Sequence, residues 1–478
     1  MRSLFRLKTI VAAEDQPEHH RMARTLSWPH LVAMGVGAIV GTGILTLIGV
    51  GADRAGPAVL VSFAVAGAIC ACAALCYAEM ATMIPASGSA YTYSYAVLGE
   101  IIAWFVGWCL ILEYSLVVST VAVGWSGYAV GFLKGLGIIL PGWMTHGPTL
   151  VTEGGPHLTN VGINVPAILI IAVVAGLLMR GTKESARINS ALVLLKIATL
   201  TLFVAVALPH FDPANLHPFA PNGFGSVADD HGVKYGVMGA AAIIFFAFYG
   251  FDAISTAAEE AKNPERDLAI GIVGSMLACT LIYIVVAAAA VGAVHYTVFS
   301  KSAEPLALIL RELGSGGVAT VVAAAAAIAL PTVLLAFLYG QSRIFLVMAR
   351  DGFLPPSLAA ISKRGTPARI TAVTAVFVAI LAGLLPLDVI ASLANAGTLV
   401  AFIAVAACVL VLRRRSPEAR RPFRTPLAWV VAPGAILGCG YLFMSLQHVT
   451  QVSFLIWNGI GLLVYFLYAR ARAVEGKG

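Results

Sequence analysis

The chain of 478 residues is 59% hydrophobic and only 11% charged, whereas soluble domains carry about 25% charged residues. This composition excludes a soluble globular protein and indicates a polytopic membrane protein. The formal net charge of +7 would suggest a nucleic-acid partner in a soluble protein, but in a membrane protein its meaning depends on where the basic residues lie.

Apolar stretches of about 20 residues, the length needed to cross a bilayer as an α-helix, recur along the chain. They predict an all-α protein with twelve transmembrane spans, which we number in chain order. A polar cytoplasmic N-terminal tail of residues 1–27, in which we see no cleavable signal peptide, precedes them. The predicted spans cover residues 28–52, 57–82, 95–131, 163–180, 187–209, 236–260, 268–294, 317–348, 369–386, 389–412, 427–446 and 452–470.

The basic residues are distributed unequally between alternate loops. Of the 30 Lys and Arg residues, 24 fall in the tails and loops on one side of the predicted membrane and 5 on the other. Positively charged loops stay in the cytoplasm. Both termini are therefore predicted to be cytoplasmic, and the asymmetry explains the net charge without a nucleic-acid partner.

The chain offers little chemistry for an embedded enzyme. Its seven cysteines all lie in apolar stretches without CxxC spacing, so they are expected to be buried small hydrophobic residues. The predicted spans contain no metal-type cluster of His and Asp and no pair of nucleophile and base. We therefore expect a protein that is not an enzyme, with no metal and no cofactor.

Span 1 contains the glycine-rich run GVGAIVGTGI at residues 35–44. Glycine inside a helix costs about 0.5–1 kcal/mol relative to alanine. Unwound backbone at membrane depth is tolerated only where protein buries it or where it lines a cavity. The run predicts a helix break near residues 41–43 and a ligand site beside it. The alternative is a face of small residues for close helix packing.

Span 6 has a second discontinuity, FFAFYGFD at residues 245–252. Spans 1 and 6 each open a group of five spans, and an odd number inserts the second group in the opposite sense. The expected organisation is an inverted repeat of residues 28–209 and 236–412. Two further spans within residues 427–470 and a cytoplasmic tail of residues 471–478 follow. Substrate is predicted to bind where the two breaks face each other.

Lys196 lies in span 5 with apolar residues on both sides. A lysine at the centre of a span costs about 2.5–3.5 kcal/mol, so something must compensate its charge. One interpretation is a lysine that faces the bundle interior and binds and releases a proton during transport. The alternative is a side chain that extends to the cytoplasmic interface. An internal ammonium favours proton coupling over sodium coupling.

Acidic residues also lie in apolar context. Glu113, near the middle of span 3, is expected either to help hold a substrate ammonium or to make structural hydrogen bonds. Glu79 and Asp252 are expected to form structural pairs. Glu259 and Glu260 are predicted to form a cytoplasmic gate or a solvated face.

The unwound segments suit a zwitterionic ligand. The first N–H groups of a half-helix favour a carboxylate, and freed carbonyl groups accept from an ammonium. An amino acid matches both requirements.

At these residues the chain resembles the amino acid–polyamine–organocation superfamily, and specifically bacterial members of its cationic-amino-acid-transporter branch. The resemblance covers nearly the whole chain. Its motifs are residues 35–44, PASGSAY at 85–91, GFD at 250–252 with the following EE and NP pairs, and RPFR at 421–424. It implies a leucine-transporter-type fold of five plus five inverted helices with two extra helices, in the bacterial inner (plasma) membrane.

The resemblance also implies roles for individual residues. The substrate carboxylate would sit on Thr42, Gly43 and their neighbours, the ammonium would sit on carbonyl groups of span 6, and Lys196 would be the proton-coupling residue. The residues expected to contact substrate are Ile39, Thr42, Gly43, Glu113, Phe246, Ala247, Tyr249 and Phe337.

Substrate size is expected to depend on two aromatic residues. In this branch, small residues at the position of Phe337 suit arginine and lysine, and Tyr249 replaces a smaller aliphatic residue. Both rings would narrow the pocket, unless they point into helix packing. The predicted function is proton-coupled uptake of small to medium neutral L-amino acids by alternating access. The alternatives are an amino acid or polyamine exchanger, with Lys196 only structural, and a cationic amino acid transporter.

The expected partners follow from this function. They are the amino acid substrate, the lipid bilayer and, as a candidate, a small single-span membrane subunit. Protons serve as the coupling ion. The sequence predicts no oligomeric state.

Overall fold

The computed structural model describes residues 6–7, 26–86, 88–147, 149–151, 157–160, 162–180, 186–230, 232–258, 261–360, 362 and 367–472. Almost all regular structure in these ranges is α-helical, as predicted. The strands are two short antiparallel hairpins, β1 (Thr149–Val151) with β2 (His157–Asn160) and β3 (Val227–Ala228) with β4 (Lys234–Tyr235).

In the part of the chain that the structure describes, the first half forms eleven α-helices, the last of which follows the second predicted break. They are α1 (Trp28–Ile39), α2 (Thr42–Leu45), α3 (Leu47–Ala55), α4 (Val59–Met83), α5 (Ser89–Val97), α6 (Glu100–Gly135), α7 (Gly142–Thr145), α8 (Val165–Arg180), α9 (Ala186–Ala207), α10 (Val237–Ile244) and α11 (Ala253–Thr256). We call α1–α3 helix 1, and α10 and α11 with the residues between them helix 6.

The second half continues with helices of four to thirty residues. They are α12 (Pro264–Ala293), α13 (Tyr296–Phe299), α14 (Pro305–Glu312), α15 (Gly316–Ala329), α16 (Pro331–Arg350), α17 (Ala368–Leu384), α18 (Leu387–Arg415), α19 (Ala428–Met444) and α20 (His448–Val464). The short helices α13 and α14 lie between α12 and α15.

Eight helical stretches of the described residues are long and apolar enough to cross a membrane. One of them, Leu47–Met83, joins the second half of helix 1 to α4 through a 3₁₀ turn at Gly56–Ala58. Shorter apolar helices occupy Trp28–Ile39, Val165–Arg180, Ala368–Leu384 and Ala428–Met444. The protein is therefore an all-α polytopic membrane protein, while the count of twelve spans and the inverted repeat stay predictions.

Several predicted boundaries were wrong. Span 3 was expected from residue 95, but α6 begins at Glu100, because the chain turns through a positive φ of 107° at Gly99. Span 8 was placed correctly, because its helical stretch covers Gly316–Ala349, with α16 starting at Pro331. Span 12 begins at His448 rather than at residue 452. Glu259 and Glu260 lie outside the described residues.

The longest helix, α6, lies at the centre of the bundle. In its most apolar stretch 72% of the residues are buried, against 28% in His448–Ala469 at the periphery. Tryptophan side chains attach the peripheral α20 to α6. The Trp108 and Trp457 rings stack at 4.8 Å, and each indole N–H donates to the other residue's carbonyl oxygen. The buried α6 also carries Glu113 and Tyr114 of the candidate site.

Glu79 forms the structural pair that was expected of it. Its carboxylate, near the end of α4, accepts two hydrogen bonds from Arg413 at 3.1 and 2.6 Å and one from the Thr425 backbone N–H at 2.7 Å. Arg421 lies 3.4 Å away and also donates to carbonyl oxygens at the end of α18, including that of Leu412. The RPFR motif thus closes the end of α18 and ties it to α4.

Candidate functional site

Helix 1 is broken close to the predicted place. The first segment, α1, ends at Ile39, and Val40 is extended, with φ −72° and ψ 99°. The second segment starts at Thr42, so the break lies at residues 40–41, slightly earlier than expected. Within the described residues, no acceptor takes the backbone N–H of Thr42 or Gly43. These two donors are therefore available to a carboxylate.

Helix 6 has three different backbone conformations in succession along the chain. The α-helix α10 ends at Ile244, a 3₁₀ turn covers Phe245–Phe248, and Tyr249 is extended. Gly250 then takes a φ of 113°, which L side chains rarely adopt. A Cβ atom on Gly250 would also lie 2.7 Å from the carbonyl carbon of Ala38. Glycine is thus required at this position both for its φ and for its contact with helix 1.

The two breaks pack directly against each other. A Cβ atom on Gly43 would lie 2.2 Å from Cα and 2.5 Å from Cβ of Ala247. The start of α2 and the 3₁₀ turn of helix 6 are therefore in backbone contact. This contact leaves no room for a side chain between the two segments, so position 43 requires glycine.

Lys196 is buried in the bundle and bonded to helix 1. Only 3% of its surface is exposed, and Nζ donates to the carbonyl oxygen of Gly37 at 2.6 Å. Gly37 lies near the end of α1, shortly before the break. The side chain is thus directed at helix 1 rather than extended along the surface, and its charge can respond to movement of α1.

Two carboxylates lie near the helix 6 break. Glu113 on α6 is 1% exposed, and its Oε2 has no hydrogen-bond partner among the described residues. Asp252 is also buried, and it accepts hydrogen bonds from the Gly250 backbone N–H at 3.3 Å and from the Tyr114 hydroxyl at 3.4 Å. Asp252 therefore supports the break, while Glu113 keeps one free acceptor.

The two aromatic residues predicted to limit substrate size are buried. The ring of Tyr249 lies 4.9 Å from that of Phe246, and its hydroxyl has no hydrogen-bond partner among the described residues. The Phe337 ring, on α16, lies 5.4 Å from that of Tyr114. Since Tyr114 also bonds Asp252, Phe337 is connected to the helix 6 break through one side chain.

Side chains that the sequence interpretation missed satisfy carbonyl groups at both breaks. The Tyr283 hydroxyl donates to the Ile39 carbonyl oxygen at 2.7 Å, and the Tyr128 hydroxyl donates to the Leu45 carbonyl oxygen at 2.5 Å. The Asn395 side chain holds two carbonyl groups of α10. In the sequence, these three residues are marked only by a polar group within an apolar span, and many other tyrosines of the chain have the same feature.

The chain is similar to known proteins along nearly its whole length. A family model described as amino acid permease matches residues 26–467. The chain is 44% identical over 475 residues to a protein named branched-chain amino acid permease BcaP from Bacillus subtilis (strain 168), with 98% of each chain covered.

Two further relatives carry other names. The chain is 40% identical over 479 residues to a protein named methylthioribose transporter from Bacillus subtilis (strain 168), with 100% of each chain covered. It is 36% identical over 422 residues to a protein named cationic amino acid transporter 2, vacuolar, from Arabidopsis thaliana, with 87% of this chain and 64% of the relative covered.

The broken helices and the matched names define a membrane transport protein and not an enzyme. The chain belongs to the amino acid permease family, within the amino acid–polyamine–organocation superfamily.

Proposed function

We propose that this protein is a secondary active transporter that takes up neutral L-amino acids together with protons by alternating access. The observation that carries the proposal is the contact between Gly43 and Ala247. This contact supports a site in which the N–H groups of Thr42 and Gly43 lie near the segment that contains Phe246 and Tyr249. The substrate carboxylate would accept from helix 1, and its ammonium would donate to the carbonyl groups of helix 6.

The membrane topology is part of the proposal. Twelve spans with cytoplasmic termini, arranged as two inverted groups of five followed by two more, would relate the breaks of helices 1 and 6 by pseudo-symmetry. The excess of basic residues on one side supports this orientation. A bacterial plasma membrane location and a small single-span subunit as partner remain predictions of the same kind.

Proton coupling rests on Lys196. A charged lysine bonded to the Gly37 carbonyl holds α1 in place, and loss of its proton would weaken that hydrogen bond. Movement of α1 would thereby be linked to proton release. No cofactor is invoked, because the proton supplies the driving force.

Substrate size follows from the aromatic residues and from the relatives. Phe337 and Tyr249 would exclude the long side chains of arginine and lysine, and Ile39 and Glu113 would complete the pocket. The relative named as a branched-chain amino acid permease supports neutral aliphatic side chains. We therefore propose small to medium neutral amino acids, from alanine to leucine.

A second candidate substrate is methylthioribose. A relative that covers the whole chain at 40% identity is named as its transporter. This ligand has neither a carboxylate nor an ammonium, so it would leave the donors at Thr42 and Gly43 without a charged partner. A competition assay with the twenty amino acids and methylthioribose against bound radiolabelled leucine separates the two candidates.

Transport by purified protein in proteoliposomes tests the coupling. We expect an imposed pH gradient, acidic outside, to drive accumulation of leucine above its external concentration. Uptake that ignores the gradient but requires internal amino acid would instead identify an exchanger and refute proton coupling. Robust ion currents without substrate would identify a channel.

A further inference from the structure

The end of α10 presents carbonyl groups that a continuous α-helix would satisfy. The carbonyl oxygen of residue i accepts from the N–H of residue i+4, so those of Ala242 and Ile243 would pair with Phe246 and Ala247. The chain instead tightens into the 3₁₀ turn at Phe245–Phe248, where the spacing is i+3. Poorly paired carbonyl groups are strongly unfavourable inside a membrane. The Ile243 carbonyl oxygen accepts from the Phe245 N–H within helix 6, and both carbonyl groups keep capacity for a donor from outside it.

Asn395 supplies this donor. It lies on α18 with 0% of its surface exposed, and its Nδ2 donates to the carbonyl oxygens of Ala242 at 2.7 Å and Ile243 at 3.1 Å. Because both partners are acceptors, the assigned orientation of the side-chain amide is the one that the network requires. Both amide hydrogens are thus used on the last turn of α10.

We propose that Asn395 is a positioning residue that fixes where helix 6 stops being α-helical. Without it, the carbonyl groups of Ala242 and Ile243 would recapture the N–H groups of Phe246 and Ala247. The α-helix would then extend, and the carbonyl groups of the 3₁₀ turn would rotate away from the substrate. This inference rests on the proposed function, in which those carbonyl groups receive the substrate ammonium.

A purely structural role for Asn395 makes a different prediction. A buried asparagine that only joins two helices would contribute to stability and would leave the relative binding of different ligands unchanged. Asn458 provides the matched control. It is buried on α20, its Nδ2 donates to the Phe454 carbonyl oxygen at 2.8 Å, and its Oδ1 accepts from the Cys109 thiol at 3.3 Å. It bonds no residue of either break.

The experiment compares two ligands that differ only in the group expected to contact helix 6. L-Leucine and L-2-hydroxyisocaproate share a side chain and a carboxylate, but the second has a hydroxyl in place of the ammonium. Equilibrium binding of both is measured on purified full-length wild type, Asn395→Ala and Asn458→Ala, together with the melting temperature of each protein. Asn395→Leu, which keeps the side-chain volume without a donor, is a second variant in case the alanine variant does not fold.

We expect the Asn395 variants to bind leucine about tenfold more weakly, the effect of losing one to two buried hydrogen bonds, and to bind the hydroxy acid almost unchanged. The preference for leucine over the hydroxy acid, measured as the ratio of the two affinities, would fall by the same factor. Asn458→Ala should lower the melting temperature and leave the ratio at its wild-type value.

Two results would overturn the inference in distinguishable ways. If wild type prefers leucine and the Asn395 variants keep that preference in full, Asn395 is structural and only this inference fails. If wild type itself shows no preference for leucine over the hydroxy acid, the ammonium subsite of the proposed function fails, and the inference fails with it.

Discussion

Replacement of Gly43 by alanine tests the contact between the two helix breaks. The added Cβ would lie 2.2 Å from Cα of Ala247. The obstacle is backbone rather than the end of a flexible side chain, so a change of rotamer cannot relieve it. Ordinary contact begins at 3.4 Å, and α2 and the 3₁₀ turn would have to separate by the difference, about 1.2 Å.

The cost of this separation can be estimated. Inserting a methyl group into a well-packed interior typically costs about 1–3 kcal/mol. If substrate binds only when the two breaks are in contact, the same energy is lost from binding, which corresponds to about a 5- to 150-fold weaker affinity. Alanine's better helix propensity recovers at most about 1 kcal/mol of stability, so the expected net effect is unfavourable.

Equilibrium binding of radiolabelled leucine to purified Gly43→Ala measures this effect, with thermal melting to check that the variant is folded. Gly440→Ala is the matched control, because a Cβ on Gly440, in α19, would have no neighbour within 4 Å. We expect the control to bind as wild type does. Wild-type affinity in a folded Gly43→Ala protein would refute the idea that substrate requires the closed contact.

Three further variants test other parts of the protein. Lys196→Ala should still bind leucine but lose accumulation driven by a pH gradient in proteoliposomes, and normal accumulation would remove the lysine from the coupling. Phe337→Ser should admit arginine or lysine in a competition assay, and continued exclusion of both would place the size limit elsewhere. Glu79→Gln should lower the free energy of unfolding by about 3 kcal/mol. This value of about 3 kcal/mol is the low end of the cost of breaking a buried ion pair, and we choose it because the Arg413 side chain is 21% exposed. Leucine affinity should persist in that variant, and an unchanged melting temperature would contradict the structural role of the pair.

The sequence predicted the parts of the fold that depend on local composition. The long apolar stretches identified most of the helices, and the glycine-rich run located the helix 1 break to within about two residues. A boundary failed where a single backbone angle decides it, as at Gly99. Such positions leave the apolar pattern on both sides unchanged, so hydropathy alone does not reveal them.

The partners of the freed carbonyl groups could not be predicted. Tyr283 is 244 residues from Ile39, and Asn395 is 153 residues from Ala242. These hydrogen bonds arise from how α12 and α18 pack against the broken helices, which no spacing within one span encodes. Lys196 was predictable because a lone charge in an apolar span is conspicuous, whereas a tyrosine hydroxyl is not.

The residues proposed for proton coupling and those proposed for substrate selectivity contact different helices. Lys196 on α9 and Tyr283 on α12 donate hydrogen bonds to backbone carbonyl oxygens of helix 1. The size of the pocket is proposed to depend on Phe337, which reaches helix 6 through Tyr114 on α6. Because Lys196 acts on helix 1 and Phe337 on helix 6, we expect Lys196→Ala and Phe337→Ser to act additively. A double variant that accepts lysine but no longer responds to a pH gradient would show that the driving force and the choice of substrate are set by different helices.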